Sequence, residues 1–98
     1  MKIIFKNLSL AEAIVKLKRC GYAEFKDPIS HQTSFVRRLR GFFYPRFHIY
    51  IEQKADQIIY NLHLDQKKPS YDGAHAHNGE YSGAVVEQEA ERLKQMIH

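Results

Sequence analysis

A chain of 98 residues, 44% hydrophobic and 12% aromatic, can build one small hydrophobic core and is too apolar to stay disordered. No stretch approaches the ~20 apolar residues of a membrane helix. Met1-Lys2-Ile3-Ile4-Phe5-Lys6 is too short for a secretory signal, so a soluble, cytoplasmic single domain spanning 1–98, with no membrane partner, is expected. The lone Cys20 excludes an intramolecular disulfide or a thiolate metal cluster within one chain.

Net charge is +4 and unevenly placed: Arg37, Arg38, Arg40 and Arg46 follow one another without an acid, whereas Glu87, Glu89 and Glu91 cluster near the end. A basic patch beside an acidic helix suits a polyanion or phosphate group, although a merely solvated basic face accounts for it equally well.

In chain order, Lys2 to Lys6 reads as a short strand. Ser9 opens a helix, with Glu12 completing a capping box; Leu10, Ala13, Ile14 and Leu17 form its apolar stripe and Gly21 stops it after Cys20. Cys20, at the end of that stripe, is expected to pack inertly. From Asp27 to Gly41 two readings compete. Asp27 as cap, Pro28 in the first turn, arginines in the last turn and Gly41 at the end favour a helix. The composition of Thr33-Ser34-Phe35-Val36 suits a third strand instead. Phe42-Phe43-Tyr44-Pro45 is an aromatic connection expected to pack on the apolar side.

The stretches from Phe47 to Glu52 and from Ile58 to Asp65 alternate and read as a hairpin turning at Ala55-Asp56. Phe47, Ile49 and Ile51 must share a face with Ile58, Tyr60, Leu62 and Leu64, because a one-residue slip would turn one apolar set to water. Arg46, His48, Tyr50, Asn61, His63 and Asp65 are thereby placed together on the other face. A turn centred on Ala55-Asp56 sets Arg46 opposite Asp65, His48 opposite His63, and Tyr50 opposite Asn61; a register moved by two residues keeps the faces but makes the His pair diagonal. A long polar stretch follows, Gln66 to Ser82, with Asn78-Gly79 among its turn signals. It carries Lys67, Lys68, Tyr71, His75, His77, Glu80 and Tyr81, and so many distinct functional groups make it a candidate lid over the polar face. A last helix begins near Gly83 with Ser82 as cap. It buries Val86, Ala90, Leu93 and Ile97 and turns Glu87, Glu89 and Glu91 to solvent or to its first turn. The architecture is α+β: an antiparallel sheet with helices on one face.

An uncovered sheet face normally carries Lys, Glu, Ser and Thr. Histidines, arginine, tyrosine and a carboxylate point to chemistry instead, and three kinds fit. His48, His63, His75 and His77, with Asp65 or Glu80, could hold a divalent metal, zinc first among several, beside a phosphate-bearing ligand contacted by Arg46 and Lys67. Alternatively, His48 and His63 act without metal as the acid and base of a phosphodiester hydrolase. Arg37, Arg46 or Lys67 then offsets negative charge, and Tyr50 and Tyr71 stack on bases. The third reading is a face that only binds nucleic acid or a protein, with histidines that are incidental. Asp65-Gln66-Lys67 has the form of a nuclease Asp-X-Lys element but lacks a second acid on the neighbouring strand, where Arg46 stands. A bare sheet edge makes a homodimer plausible.

The order of a capped helix, Gly21, and then Ser30-His31 ahead of Ser34-Phe35-Val36-Arg37 resembles that of small toxin ribonucleases with a double-stranded-RNA-binding fold. In those, a helix and glycine precede a Ser-His pair on a strand. The likeness covers about a third of the chain, and the acidic last helix and His-rich stretch depart from it. It implies only that His31 joins the candidates.

Overall fold

The computed structural model describes residues 1–39, 45–66 and 78–97, the side chains of 78–82 excepted. In chain order the elements are β1 (Lys2–Lys6), α1 (Leu10–Arg19), β2 (Ala23–Lys26), β3 (Thr33–Arg38), β4 (Arg46–Lys54), β5 (Gln57–Asp65) and α2 (Asn78–Met96). The strands form one antiparallel sheet in the order β1-β5-β4-β3-β2. The expected α+β architecture, with helices on one face of an antiparallel sheet, is what the chain adopts.

The β4–β5 hairpin has the parity its alternation demands and the register of a turn centred on Ala55-Asp56: Arg46 opposite Asp65, His48 opposite His63, Tyr50 opposite Asn61. Ala55 takes the positive φ that so tight a turn needs, at 55°. Ile49, Ile58, Tyr60 and Leu62 are at most 1% exposed. Burying each such side chain contributes about 1.5–3 kcal/mol, so a one-residue slip would forfeit a sum comparable with the whole stability of a small domain. The same face receives Ile3 from β1 and Phe35 from β3, and the two helices cover it with Ala13, Leu17, Val86, Ala90, Leu93 and Ile97. Tyr60, deep in this layer, satisfies its hydroxyl by donating to the Ala13 carbonyl at 3.0 Å.

Both ends of α1 follow from sequence. The Ser9 hydroxyl accepts from the Glu12 amide, and the Glu12 carboxylate accepts from the Ser9 amide, each at 3.1 Å; these bonds hold the Glu12 carboxyl below its usual range. At the other end the Gly21 amide donates to the Lys18 carbonyl and the Tyr22 amide to the Leu17 carbonyl, both at 3.1 Å. This paired closure needs a left-handed residue, and Gly21 sits at φ 98°. Cys20 is buried, and burial pushes its thiol pKa up, as an inert packing role requires. Leu10 departs from the expected stripe: it is 41% exposed while Ala13 and Leu17 are sealed.

Within the segment favoured as a helix from Asp27 to Gly41, residues 27–38 are instead the loop and second strand of a β2–β3 hairpin. The Asp27 carboxylate caps a turn: it accepts from the amides of Ile29 and Ser30 at 2.8 and 3.1 Å, and the Asp27 amide donates to the Gln32 carbonyl at 3.0 Å. An aspartate before Pro-X-Ser serves a turn as readily as a helix start, and pairing with β4 decides between them. Phe35 then points into the core and Ser34 to the open face. β2 itself, Ala23-Glu24-Phe25-Lys26, is only four residues long, and its apolar residues Ala23 and Phe25 lie on the face away from the helices rather than in the core. The aromatic connection 42–44 lies outside the described residues; the Leu39 amide meets the Pro45 carbonyl at 3.3 Å across its base.

The last helix starts at Asn78 rather than near Gly83, because asparagine favours helix starts as strongly as turns. Glu89 is the larger departure. Expected in solvent, it lies three residues after Val86 and one before Ala90 on the buried stripe, and its side chain is 3% exposed. It is fully accompanied: Tyr22 donates its hydroxyl at 2.5 Å, and Arg92 grips both oxygens, Nε at 2.8 Å and Nη2 at 2.9 Å. Nη2 also binds the Cys20 carbonyl at 2.8 Å, so the cluster ties the end of α1 to α2. Burial and the carboxylate beside it drive the Tyr22 pKa far above the usual phenol value, so Tyr22 remains a donor.

Two stability changes follow. Gly21→Ala, forced into a positive φ, should lower stability in urea unfolding by about 1–2 kcal/mol. Arg92→Ala, which leaves a buried carboxylate with one strong partner, should cost about 2–4 kcal/mol; a loss under 1 kcal/mol would show that water enters to replace the guanidinium.

Candidate functional site

The face of the sheet that neither helix covers is assembled by register. β4 contributes Arg46, His48, Tyr50, Glu52 and Lys54; β5 contributes Ile59, Asn61, His63 and Asp65; β3 contributes Ser34, Val36 and Arg38. At the flanks stand Phe25 of β2 and Lys2, Ile4 and Lys6 of β1. The six polar residues expected together are together.

At one end of this face the groups are locked to one another. The His48 ring places Nδ1 2.9 Å from an Asp65 oxygen and Nε2 2.8 Å from the Ser34 hydroxyl. Arg46 donates Nε to the same Asp65 oxygen at 3.3 Å and lays its guanidinium over the Phe25 ring at 5.3 Å. An ionised Asp65 accepts only, so Nδ1 carries a hydrogen. Neutral His48 then accepts the Ser34 O–H at Nε2. Protonated His48 donates there, and the Ser34 hydroxyl turns to the Phe25 carbonyl at 3.4 Å. Either way both ring nitrogens are engaged. Burial raises the Asp65 carboxyl, but the hydrogen bonds and charges of His48 and Arg46 outweigh it and hold the pKa below the ordinary 3.8.

The order Asp65, His48, Ser34 has the connectivity of a nucleophile relay. Ser34 is only 2% exposed, and a hydroxyl sealed that far cannot reach a substrate carbonyl or phosphorus. The chain of bonds positions side chains. It fixes the His48 ring against Tyr50, with centroids 4.6 Å apart, and the Tyr50 ring in turn meets the edge of His63 at 6.3 Å. Ser34 had no alternation or motif to mark it in the sequence, since its strand was itself in doubt.

His63 differs from its partner across the strand. It is exposed and makes no hydrogen bond among the described residues. Partial desolvation, the Met1 ammonium and His48 push its pKa below 6.5, against a weaker upward pull from Asp65. Its imidazole is therefore neutral and open at neutral pH. Asn61 donates across to the Tyr50 carbonyl and to Glu52, each at 3.4 Å.

Other candidates lie elsewhere. Arg37 is on the helix-covered face, 3.5 Å from Glu89, because it pairs with Phe47 and shares its parity. His31 sits in the β2–β3 turn at φ 62°, not on a strand. Lys67, Tyr71, His75 and His77 lie outside the described residues, as does the Glu80 side chain, although its backbone is in α2. Among the described residues no group of three or more His, Cys, Asp or Glu side chains could hold a metal ion. Compared with known protein families, with curated proteins and with solved structures, the chain matches none. No helix among the described residues is long and apolar enough to cross a membrane.

Asp65→Asn should destabilise the fold by about 1–2 kcal/mol through the loss of a charged acceptor shared by His48 and Arg46. Because the folded pKa lies below 3.8, this contribution is complete above pH 3.8 and disappears as pH falls through the lower folded value. Acid unfolding of the variant should accordingly be shallower than that of the parent between about pH 4 and pH 2; parallel curves would refute the assignment.

Proposed function

We propose that the open face of the sheet binds single-stranded nucleic acid without a metal ion, with Tyr50 and His63 as the stacking platform. The observation that carries this reading is the row of adjoining rings, His48, Tyr50 and His63, set in the middle strands of a sheet whose face is left uncovered by both helices. An aromatic platform on an open antiparallel sheet gives bases a π-surface, and stacking tolerates any base. Around it the face carries Lys2, Lys6, Lys54, Arg38 and Arg46 against Glu52 and Asp65. Asp65 is already spent on Arg46 and His48, so the outward field is positive and fits a phosphate backbone.

The locked state of His48 favours binding over chemistry. An acid–base pair needs two imidazoles that can reach the substrate, and of His48 and His63 only His63 has open ring nitrogens among the described residues. A divalent metal meets the same difficulty at His48 and Asp65. A centre on this face would rest on His63 together with His75, His77 or Glu80.

The test is fluorescence anisotropy with labelled single-stranded oligonucleotides in the presence of EDTA. Tyr50→Ala should weaken binding by about 1–3 kcal/mol, or roughly 5- to 150-fold. Lys54→Gln should weaken it regardless of sequence and flatten the log–log salt dependence by about 0.7. Phosphate beside His63 favours its protonated form, so affinity should rise as pH drops from 7.5 to 5.5, and His63→Ala should abolish that rise. Binding that vanishes in EDTA, with stoichiometric metal found by elemental analysis, would replace this reading with a metal centre. Absence of any binding at low salt would end both the nucleic-acid reading and its pH dependence.

A further inference from the structure

The opposite face of β3 holds a second charged site. Arg37, half-buried with 32% of its side chain exposed, reaches the Glu89 carboxylate only by a long 3.5 Å contact from Nη1. Glu89 does not need it, since both its oxygens are gripped by Arg92 and one also by Tyr22. The carboxylate and the Arg92 guanidinium already cancel, and Tyr22 is neutral. Arg37 therefore adds a positive charge that no acid balances among the described residues there. A guanidinium has five N–H donors, and the contact to Glu89 is the sole polar one Arg37 makes among the described residues.

These groups border a cavity of about 240 Å³, lined by Arg37, Glu89 and Arg92 together with Leu39, Phe47, Val85 and Gln88. The Arg37 guanidinium carbon lies 6.0 Å from the centre of the Phe47 ring, which holds the planar group against an apolar wall. Arginine presents paired donors that match a phosphate or carboxylate, and partly desolvated walls strengthen the attraction relative to open water. The volume falls below the ~300–1,000 Å³ of ordinary ligand pockets, so the occupant is small.

We propose that Arg37, backed by the Glu89–Arg92 pair and walled by Leu39, Phe47 and Val85, forms a binding site for a small oxyanion, a phosphate or carboxylate group. The site lies on the helix-covered side of the sheet and is independent of the nucleic-acid face. It neutralises the surplus charge of the cluster, so its ligand stabilises the junction between β3 and α2.

Thermal unfolding of the full chain at constant ionic strength tests this, with chloride as reference, inorganic phosphate as one arm and acetate as the other. At about ten times the dissociation constant, the binding anion should raise the midpoint by roughly 5 °C or more, and the rise should continue with the logarithm of its concentration. A response to phosphate alone identifies a phosphate site, and a response to acetate alone a carboxylate site. Arg37→Gln should remove the response while leaving oligonucleotide binding intact. Should that variant fold poorly, Gln88→Glu offers a second test: its carboxylate at the cavity rim occupies Arg37 and should abolish the anion response without lowering stability in chloride. Midpoints that match chloride in both arms, or an undiminished response in Arg37→Gln or in folded Gln88→Glu, overturn the proposal.

Discussion

Adjacent side chains of a strand leave on opposite sides. In the β4–β5 hairpin that alternation is held by Ile49, Ile58, Tyr60 and Leu62, none of which can turn outward without bringing a polar neighbour inward. From this constraint comes the division of the molecule into a face sealed by α1 and α2 and a face that gathers His48, Tyr50, His63 and Asp65. β1 and β3 only extend a pattern that the hairpin has already set, pairing on either side of it with the same parity. Turn geometry and core burial agree here, and agreement between local and global preferences gives one register its energetic gap.

Each face also holds one buried or half-buried carboxylate, and the two are satisfied alike. Asp65 is bound by an arginine and a histidine that leans on a serine; Glu89 is bound by an arginine and a tyrosine. In both places a neutral or titratable donor supplements the guanidinium, which meets the requirement that a charge removed from water be both paired and hydrogen-bonded. The difference is the remaining cation. Arg46 is drawn into its network and packs on Phe25, whereas Arg37 stays at arm's length from Glu89.

Where the chain's own chemistry is local, the sequence discloses it. Ser9 and Glu12 specify their capping box, Gly21 its left-handed closure, and the apolar alternation the faces of its hairpin, while the Ala55-Asp56 turn sets the pairing of His48 with His63. Where two local meanings coexist, tertiary contacts choose. Asp27 suits a turn or a helix start, and Asn78 likewise; pairing with a neighbouring strand made the first a turn, and the second stands at the start of α2. Glu89 was hidden for another reason. Its partners Tyr22 and Arg37 stand 67 and 52 residues away, and no periodicity in a helix tells that a distant phenol and guanidinium await a particular acid. The same distance concealed Ser34 as the second support of His48, so the sequence located the histidines without revealing that one of them is immobilised.

The bond from Arg92 to the Cys20 carbonyl joins residues 72 positions apart, and the amide and carbonyl of Leu62 are met by Met1, 61 positions away. An early segment of the chain thus completes its hydrogen bonding only with segments made much later. During synthesis, β1 and α1 emerge with their apolar sides uncovered and must wait for β5 and then α2 before either is sealed. Long-range closure of this kind slows folding relative to a fold of local contacts, and it leaves Ile3, Leu17 and Cys20 exposed to other surfaces in the interval. The feature that ties α1 to α2 in the finished domain therefore also sets the moment at which the domain can first exist, which comes only after α2 has been made.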